Sequence, residues 1–227
     1  MRICHFDFSK PFDMPCGYGV LVAESPIKFS QYCKDFVDQQ CGKDGDFIVD
    51  DNGKSLSFKK SGCIVFDYFN ISLNEKKIVS GIYDAIEKTA MREYQQQYVD
   101  IKTKMASFAD LLLLESPLQL EYNADFCVQD ILKALKVQPY EEEKTLAESI
   151  VDYLDAVAEF LGTRIFVLVG LRMYLNDEEF SLLLKHIGHA DYSVLFLERT
   201  QYNRINNEPV RIIDCDFCEI VVEDDIV

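Results

Sequence analysis

Polar and apolar residues alternate over residues 2–8, the two-residue period of a strand. Residues 10–19 hold Pro11, Pro15, Gly17 and Gly19 and predict a turn region, with a second strand over 20–23. Ser25 followed by Pro26 suits a helix start, because proline loses nothing at a position whose N–H has no intrahelical partner. The spacing predicts a helix over 27–39 that buries Phe29, Tyr32 or Cys33, and Phe36 and ends at residues 42–45. Apolar runs at 47–49 and 55–58 flank Asp51-Asn52-Gly53, and Asn-Gly predicts a tight hairpin. Residues 63–66 suggest another short strand.

The period then changes. Val79, Ile82, Ile86, Ala90, Tyr94, Tyr98, Ile101, Met105, Phe108 and Leu112 recur at three or four residues. One long helix, or two stacked end to end, would carry them; unbroken, it would run roughly 50 Å. Such a stripe must be covered by another helix or another subunit. Pro117 closes the segment, residues 118–122 alternate like an exposed strand, and Val128, Ile131, Leu132 and Leu135 mark a short helix.

Strand and helix alternate again in the last third. Leu146, Ile150, Leu154, Val157 and Leu161 form a helical stripe stopped by Gly162. Residues 164–169 are nearly all apolar, as in a strand buried on both faces. Asn176 with Glu179 has the capping-box pattern, with Phe180, Leu183, Leu184 and Ile187 facing inward. A buried strand over 193–197 and a strand region over 211–222 complete the chain, and this order argues for parallel pairing. The expected fold is α/β: a head with a largely parallel sheet from residues 1–61 and 141–227, and an inserted helical leg from 62–140.

Composition narrows the function. Hydrophobic residues at 48% rule out a disordered chain. No apolar run approaches the roughly 18–20 residues that span a bilayer, and the charged, alternating start is unlike a secretory signal. A cytoplasmic protein with no membrane partner is expected, its eight cysteines reduced and mostly buried. Cys215 and Cys218 form a CxxC in a predicted strand, with no second pair to complete a zinc set.

The net charge of −16 repels phosphate unless lysines are gathered on one surface. The turn between residues 16 and 28 has a nucleotide-binding layout but lacks the glycine and Lys-Ser/Thr signature of a phosphate loop, and Glu24 would repel phosphate. Nucleophile-elbow, zincin and calcium-hand motifs are missing too, so no catalytic residue is assigned. His186 and His189 suit a helix C-terminus, and nothing beside them marks a nucleophile. Acidic residues gather at Glu115, Glu121, Asp125 and Asp130, then at Glu141, Glu142, Glu143, Glu148 and Asp152. They could ligate a hard divalent ion or form a solvated surface. Lys76, Lys77, Lys88, Arg92, Lys102, Lys104, Lys133 and Lys136 lie along the helical segment, as phosphate contacts or as solubilising groups.

Several runs together resemble a known family. They are Arg164-Ile-Phe-Val-Leu-Val-Gly170, Leu175-Asn-Asp-Glu-Glu-Phe180, Tyr192-Ser-Val-Leu-Phe-Leu-Glu198, Leu120-Glu121-Tyr122-Asn123 and Ile131-Leu-Lys-Ala-Leu135. Their order resembles the short form of the Csn2 family, the small accessory protein of type II-A CRISPR spacer acquisition. The likeness implies an α/β head, similar to nucleotide-binding folds, with a helical leg and no enzymatic activity. It implies a homotetrameric ring whose basic lining binds double-stranded DNA at its ends, without sequence preference, beside the integrase pair and the effector nuclease. Calcium would hold the ring in its DNA-binding form. Glu121 matches the family's acidic stretch, with Glu115 and Asp125 flanking it, although Pro117 and Gln119 stand where relatives carry more acid. The eight basic residues are the expected DNA contacts. The alternatives are a structural protein–protein adaptor that does not touch DNA and a degenerate nucleotide-binding enzyme.

Overall fold

The computed structural model describes residues 1–140, 142–205 and 208–222. The chain divides into two compact units, Met1–Ser72 with Glu142–Val227, and Leu73–Glu141. The second begins later than residue 62 because residues 62–65 are needed as a strand of the first.

The first unit holds two sheets. The smaller is antiparallel, in the order β2 (Phe12–Asp13), β1 (Arg2–Cys4), β4 (Ile48–Asp51), β5 (Lys54–Leu56). Its β4–β5 turn uses Asn52 and Gly53 at φ 52° and 83°, the doubly left-handed turn expected of Asn-Gly. β1 stops at Cys4, short of the predicted residue 8, because the chain folds back: Phe8 N–H donates to the His5 carbonyl at 3.0 Å.

The larger sheet runs β10 (Glu219–Val222), β9 (Val210–Ile213), β3 (Tyr18–Ala23), β8 (Ser193–Glu198), β7 (Ile165–Val169), β6 (Gly62–Val65). All neighbours are parallel except β10, which pairs antiparallel with β9. The loop between β9 and β10 holds Cys215 and Cys218, so the CxxC lies in a turn and not in a strand. Asp214 Oδ1 shapes that turn by accepting from the Asp216 and Cys218 amides.

Alternation along these strands divides the core in two. One face presents Leu21, Ala23, Ile165, Val167, Leu195 and Leu197 to α1 (Pro26–Gln40) and the small sheet, where Tyr32, Phe36, Phe47 and Val49 are buried. Phe36 stacks on Phe47 with ring centroids 4.1 Å apart. The odd-numbered positions of β3, β7 and β8 thus face α1, whereas on β6 it is the even-numbered Ile64, opposite Val167, that does. On the even-numbered face are Phe166, Leu168, Val194 and Phe196, all buried. Phe180 of α7 (Asp177–Ile187) meets Phe196 at 4.9 Å. Two further helices of this unit are α2 (Phe58–Ser61) and α6 (Leu146–Leu161). Thr145 and Glu148 cap α6 reciprocally, and Gly162 ends it at φ 73°, a left-handed conformation cheap only for glycine.

The second unit holds α3 (Lys76–Glu93), α4 (Gln95–Leu114) and α5 (Val128–Ala134). The long stripe is thus two helices, broken at Tyr94 (φ −125°, ψ 24°). The alternating residues 118–122 form no strand. Tyr122 Oη instead reaches Asp110 at 2.8 Å and the Ala106 carbonyl at 3.2 Å, tying the end of this exposed stretch to α4. Among the described residues no helix is long and apolar enough to cross a membrane.

Candidate functional site

Open parallel sheets bind ligands at the carboxyl ends of their strands. In this chain that edge is occupied by the protein's own charges. β3 passes to α1 through Glu24 and Ser25 alone, and Pro26 brings no N–H. At the end of β8, Glu198 is 1% exposed, and its Oε1 accepts from the Arg172 amide at 3.0 Å. Gly170 makes this possible by turning left-handed after β7 (φ 67°), which swings the amides of Leu171 and Arg172 onto the carboxylate. Burial still pushes the Glu198 carboxyl up to about 7, against those amides and the Arg172 charge. The Arg172 guanidinium is itself buried, 4.2 Å from the Phe180 ring centroid and 5.2 Å from that of Tyr202, and pairs with Asp177 at 2.8 Å. An incoming anion would have to displace Glu198 from the amides it already uses.

A second cluster forms where β1, α1 and the segment before β4 meet. One ring nitrogen of His5 and one carboxylate oxygen each of Asp35 and Asp46 lie within 4.8 Å of one another. Among the described residues this is the one such group of three or more His, Cys, Asp or Glu side chains, and it could hold a divalent cation. His5 is wedged among rings, with centroids 4.2 Å from Phe6, 4.4 Å from Phe47 and 5.0 Å from Tyr32. Its side chain is 1% exposed. Nδ1 lies 3.1 Å from the Asp7 amide nitrogen, while Nε2 is buried with no partner. Burial lowers the His5 pKa against the pull of Asp7 and Asp46. Asp35 is raised by burial and then by the charges of Asp46 and Asp38. Asp7, beside them, bonds Lys28 at 2.7 Å and Tyr32 Oη at 2.6 Å. Sequence reading missed this cluster, since its members sit on three separate segments with no diagnostic spacing.

The basic residues expected from the sequence all lie in the second unit. Lys76, Lys77, Lys88 and Arg92 are on α3, Lys102 and Lys104 on α4, Lys133 on α5, and Lys136 just after it at φ 52°. All are exposed except Lys102, which is half-buried. They are every lysine and arginine between Leu73 and Glu141, against eleven acidic residues there, so this unit carries far less of the chain's negative charge. Arg92 pairs with Glu93 and Lys102 with Asp125, each at 2.7 Å, while Lys133 stands 3.5 Å from Asp130.

Of the expected metal ligands, Glu115 caps the end of α4, and Glu121 and Asp125 lie on the exposed stretch before α5. Among the described residues their carboxylate oxygens do not form a group within 4.8 Å of one another, and Asp125 is held by Lys102, which keeps its carboxyl below the usual range. Glu141, in the acidic run after them, lies outside the described residues.

His186 and His189 line an open cleft of about 820 Å³ with Asp155, Glu159, Asp191 and Tyr192. His186 Nε2 is 3.0 Å from Asp155 Oδ1, which also accepts from Tyr192 Oη at 2.8 Å, and His189 Nδ1 is 2.7 Å from the Lys185 carbonyl. Both histidines are thereby fixed at the end of α7, as their sequence position suggested.

Comparison with known proteins adds the family. Residues 39–217 match the model of a CRISPR-associated protein family, Cas_Csn2. Among solved structures, the chain is similar to Stu0660 of Streptococcus thermophilus. The TM-score is 0.55 at 10% identity, covering 99% of this chain and 77% of that one, so the likeness is one of fold.

Proposed function

The chain belongs to the Csn2 family of CRISPR-associated proteins, and on that premise we propose that it is a short-form, non-catalytic accessory of type II-A spacer acquisition. In this reading four copies close into a ring that holds double-stranded DNA by its backbone and loads through the ends. It acts beside the integrase pair and the effector nuclease. The observation that carries the reading is the family match over most of the chain. The apolar face of α4 supports self-assembly: no residue of that helix is buried, and Phe108, Leu111, Leu112 and Leu114 are each about 60–80% exposed. An apolar surface of this kind marks an interaction site.

Symmetry would repeat each lysine around the hole, which lets an acidic chain present a basic lining. Binding would then go to phosphates, with little sequence preference and a steep fall in affinity as salt rises. Calcium is what the family likeness implies. Glu115, Glu121 and Asp125 are its proposed ligands, and no step in this reading runs through the ion.

A second reading, an adaptor that binds proteins and not DNA, is favoured by the eleven acidic residues of the second unit and the pairs that already occupy Arg92 and Lys102. Sedimentation with matched linear and covalently closed duplexes, with and without calcium, separates the two. Threading predicts that linear DNA co-sediments and relaxed circles do so poorly. Equal binding to both forms defeats the ring, and binding to neither supports the adaptor.

A further inference from the structure

We propose that His5, Asp35 and Asp46 form a site for a divalent first-row transition ion, zinc foremost, that clamps together the turn after β1, α1 and the segment leading into β4. This site is separate from the calcium ligands considered above, and nothing in its argument depends on DNA binding.

Nε2 of His5 is a buried polar atom without a partner, inside a residue 93% removed from solvent. Buried polar groups are almost always bonded, and an orphan carries an uncompensated desolvation penalty. Nδ1 has two neighbours that ask for opposite tautomers. The Asp7 amide at 3.1 Å offers a proton, and Asp7 Oδ2 at 3.5 Å would accept one. With the proton on Nε2, an N–H is buried without an acceptor. With the proton on Nδ1, a lone pair is buried without a donor. A cation at Nε2 resolves the second case and leaves Nδ1–H facing the Asp7 carboxylate, the metal–histidine–carboxylate arrangement that fixes ring orientation. The bond from the Asp7 amide is given up in exchange. Asp7 is suited to this positioning role, because Lys28 and Tyr32 already hold it.

The carboxylates supply the rest. Asp35 is half-buried and Asp46 exposed, so two like charges sit close together beside His5 with solvent within reach. A divalent ion would cancel their repulsion. Ligands on one zinc ion, each about 2 Å from it, lie roughly 3.4 Å apart, so the group must close slightly from 4.8 Å. Exposed Asp46 is free to make that movement, and water can fill the remaining position. An imidazole nitrogen with only two carboxylates suits zinc, cobalt or nickel, whereas calcium prefers six to eight oxygens.

The test uses the full chain, stripped with chelator and kept reduced, with Co²⁺ as the spectroscopic probe and Zn²⁺ as competitor. The expected result is one Co²⁺ with visible d–d bands and no thiolate-to-cobalt charge transfer, displaced by Zn²⁺ but not by millimolar Ca²⁺. Asp35→Asn and Asp46→Asn, which leave the aromatic packing of His5 intact, should each weaken binding by about tenfold or more and abolish the rise in Tm caused by Zn²⁺. Identical Co²⁺ titrations for both variants and wild type would overturn the site. So would a thiolate charge-transfer band indifferent to both substitutions, which would move the ion to the cysteines. Displacement by millimolar Ca²⁺ would overturn the choice of ion.

Discussion

Glu198→Gln should stabilise this protein at neutral and alkaline pH and leave it unchanged below about pH 4, under the ordinary carboxyl range. The glutamine keeps an oxygen for the amides of Leu171 and Arg172 and removes the charge that burial opposes. Glu198 has a folded pKa of about 7 against an ordinary 4.5. The folded state therefore binds its proton more tightly than the unfolded chain. Below the ordinary carboxyl range both states are protonated and the side chain costs nothing. As pH rises from 4.5 towards 7 the unfolded chain ionises first, and stability falls. Above about 7 the full penalty is present and flat. At ~1.4 kcal/mol per tenfold, the gap is worth up to about 3 kcal/mol. Loss of the anion beside buried Arg172 offsets part of it, although Asp177 still pairs with that arginine. Urea denaturation of both proteins at pH 5, 6, 7 and 8 measures the difference. The stability gap should open between pH 5 and 7 and then level off, with a Tm difference at pH 8 of up to about 10 °C. A gap that is constant with pH, or that widens towards acid, would refute the reasoning.

Reversing Lys102 and Lys104 to glutamate should lower affinity for all linear duplexes about equally and flatten its salt dependence, as measured by anisotropy. Asp125→Asn, which releases Lys102 from its 2.7 Å pair, should raise that affinity; a fall would place Lys102 outside the DNA surface. Glu121→Ala should weaken a calcium titration, and an unchanged isotherm removes Glu121 as a ligand. Phe108→Ser on the uncovered face of α4 should shift sedimentation towards smaller species while the chain stays folded by circular dichroism. Phe36→Ala, which empties the stack against Phe47, should cost about 3–5 kcal/mol in denaturant titrations.

The regular elements were legible wherever a period or a cap was strong. Thr145 with Glu148 and Asn176 with Glu179 close the capping boxes at the starts of α6 and α7, the second of them anticipated. Asn52-Gly53 makes its hairpin, and the apolar runs of β7 and β8 sit buried in a parallel sheet. Residues 118–122 misled because they alternate without covering anything: all five are exposed, and Tyr122 is tied to α4 through its hydroxyl. The CxxC misled because two short apolar runs, 212–213 and 220–222, read as one strand region, whereas Asp214 builds a turn between them with its side chain. The Glu198–Arg172 pair and the His5 cluster gave no signal, since each unites residues that are unremarkable in sequence and adjacent only after folding.

The placing of β3 has a consequence for the order of assembly. It is the strand from which the parallel sheet extends in both directions, yet both its partners, β8 and β9, lie more than 170 residues downstream. At a ribosomal pace of roughly 5–20 residues per second, an apolar β3 waits roughly 10–35 s for its first neighbour to be made. The contacts within Leu73–Glu141 are short-range by comparison and can form while it waits. A nascent chain halted before residue 193 would therefore expose both edges of β3 beside a helical unit already formed. In a cell this is the species that a strand-binding chaperone would meet.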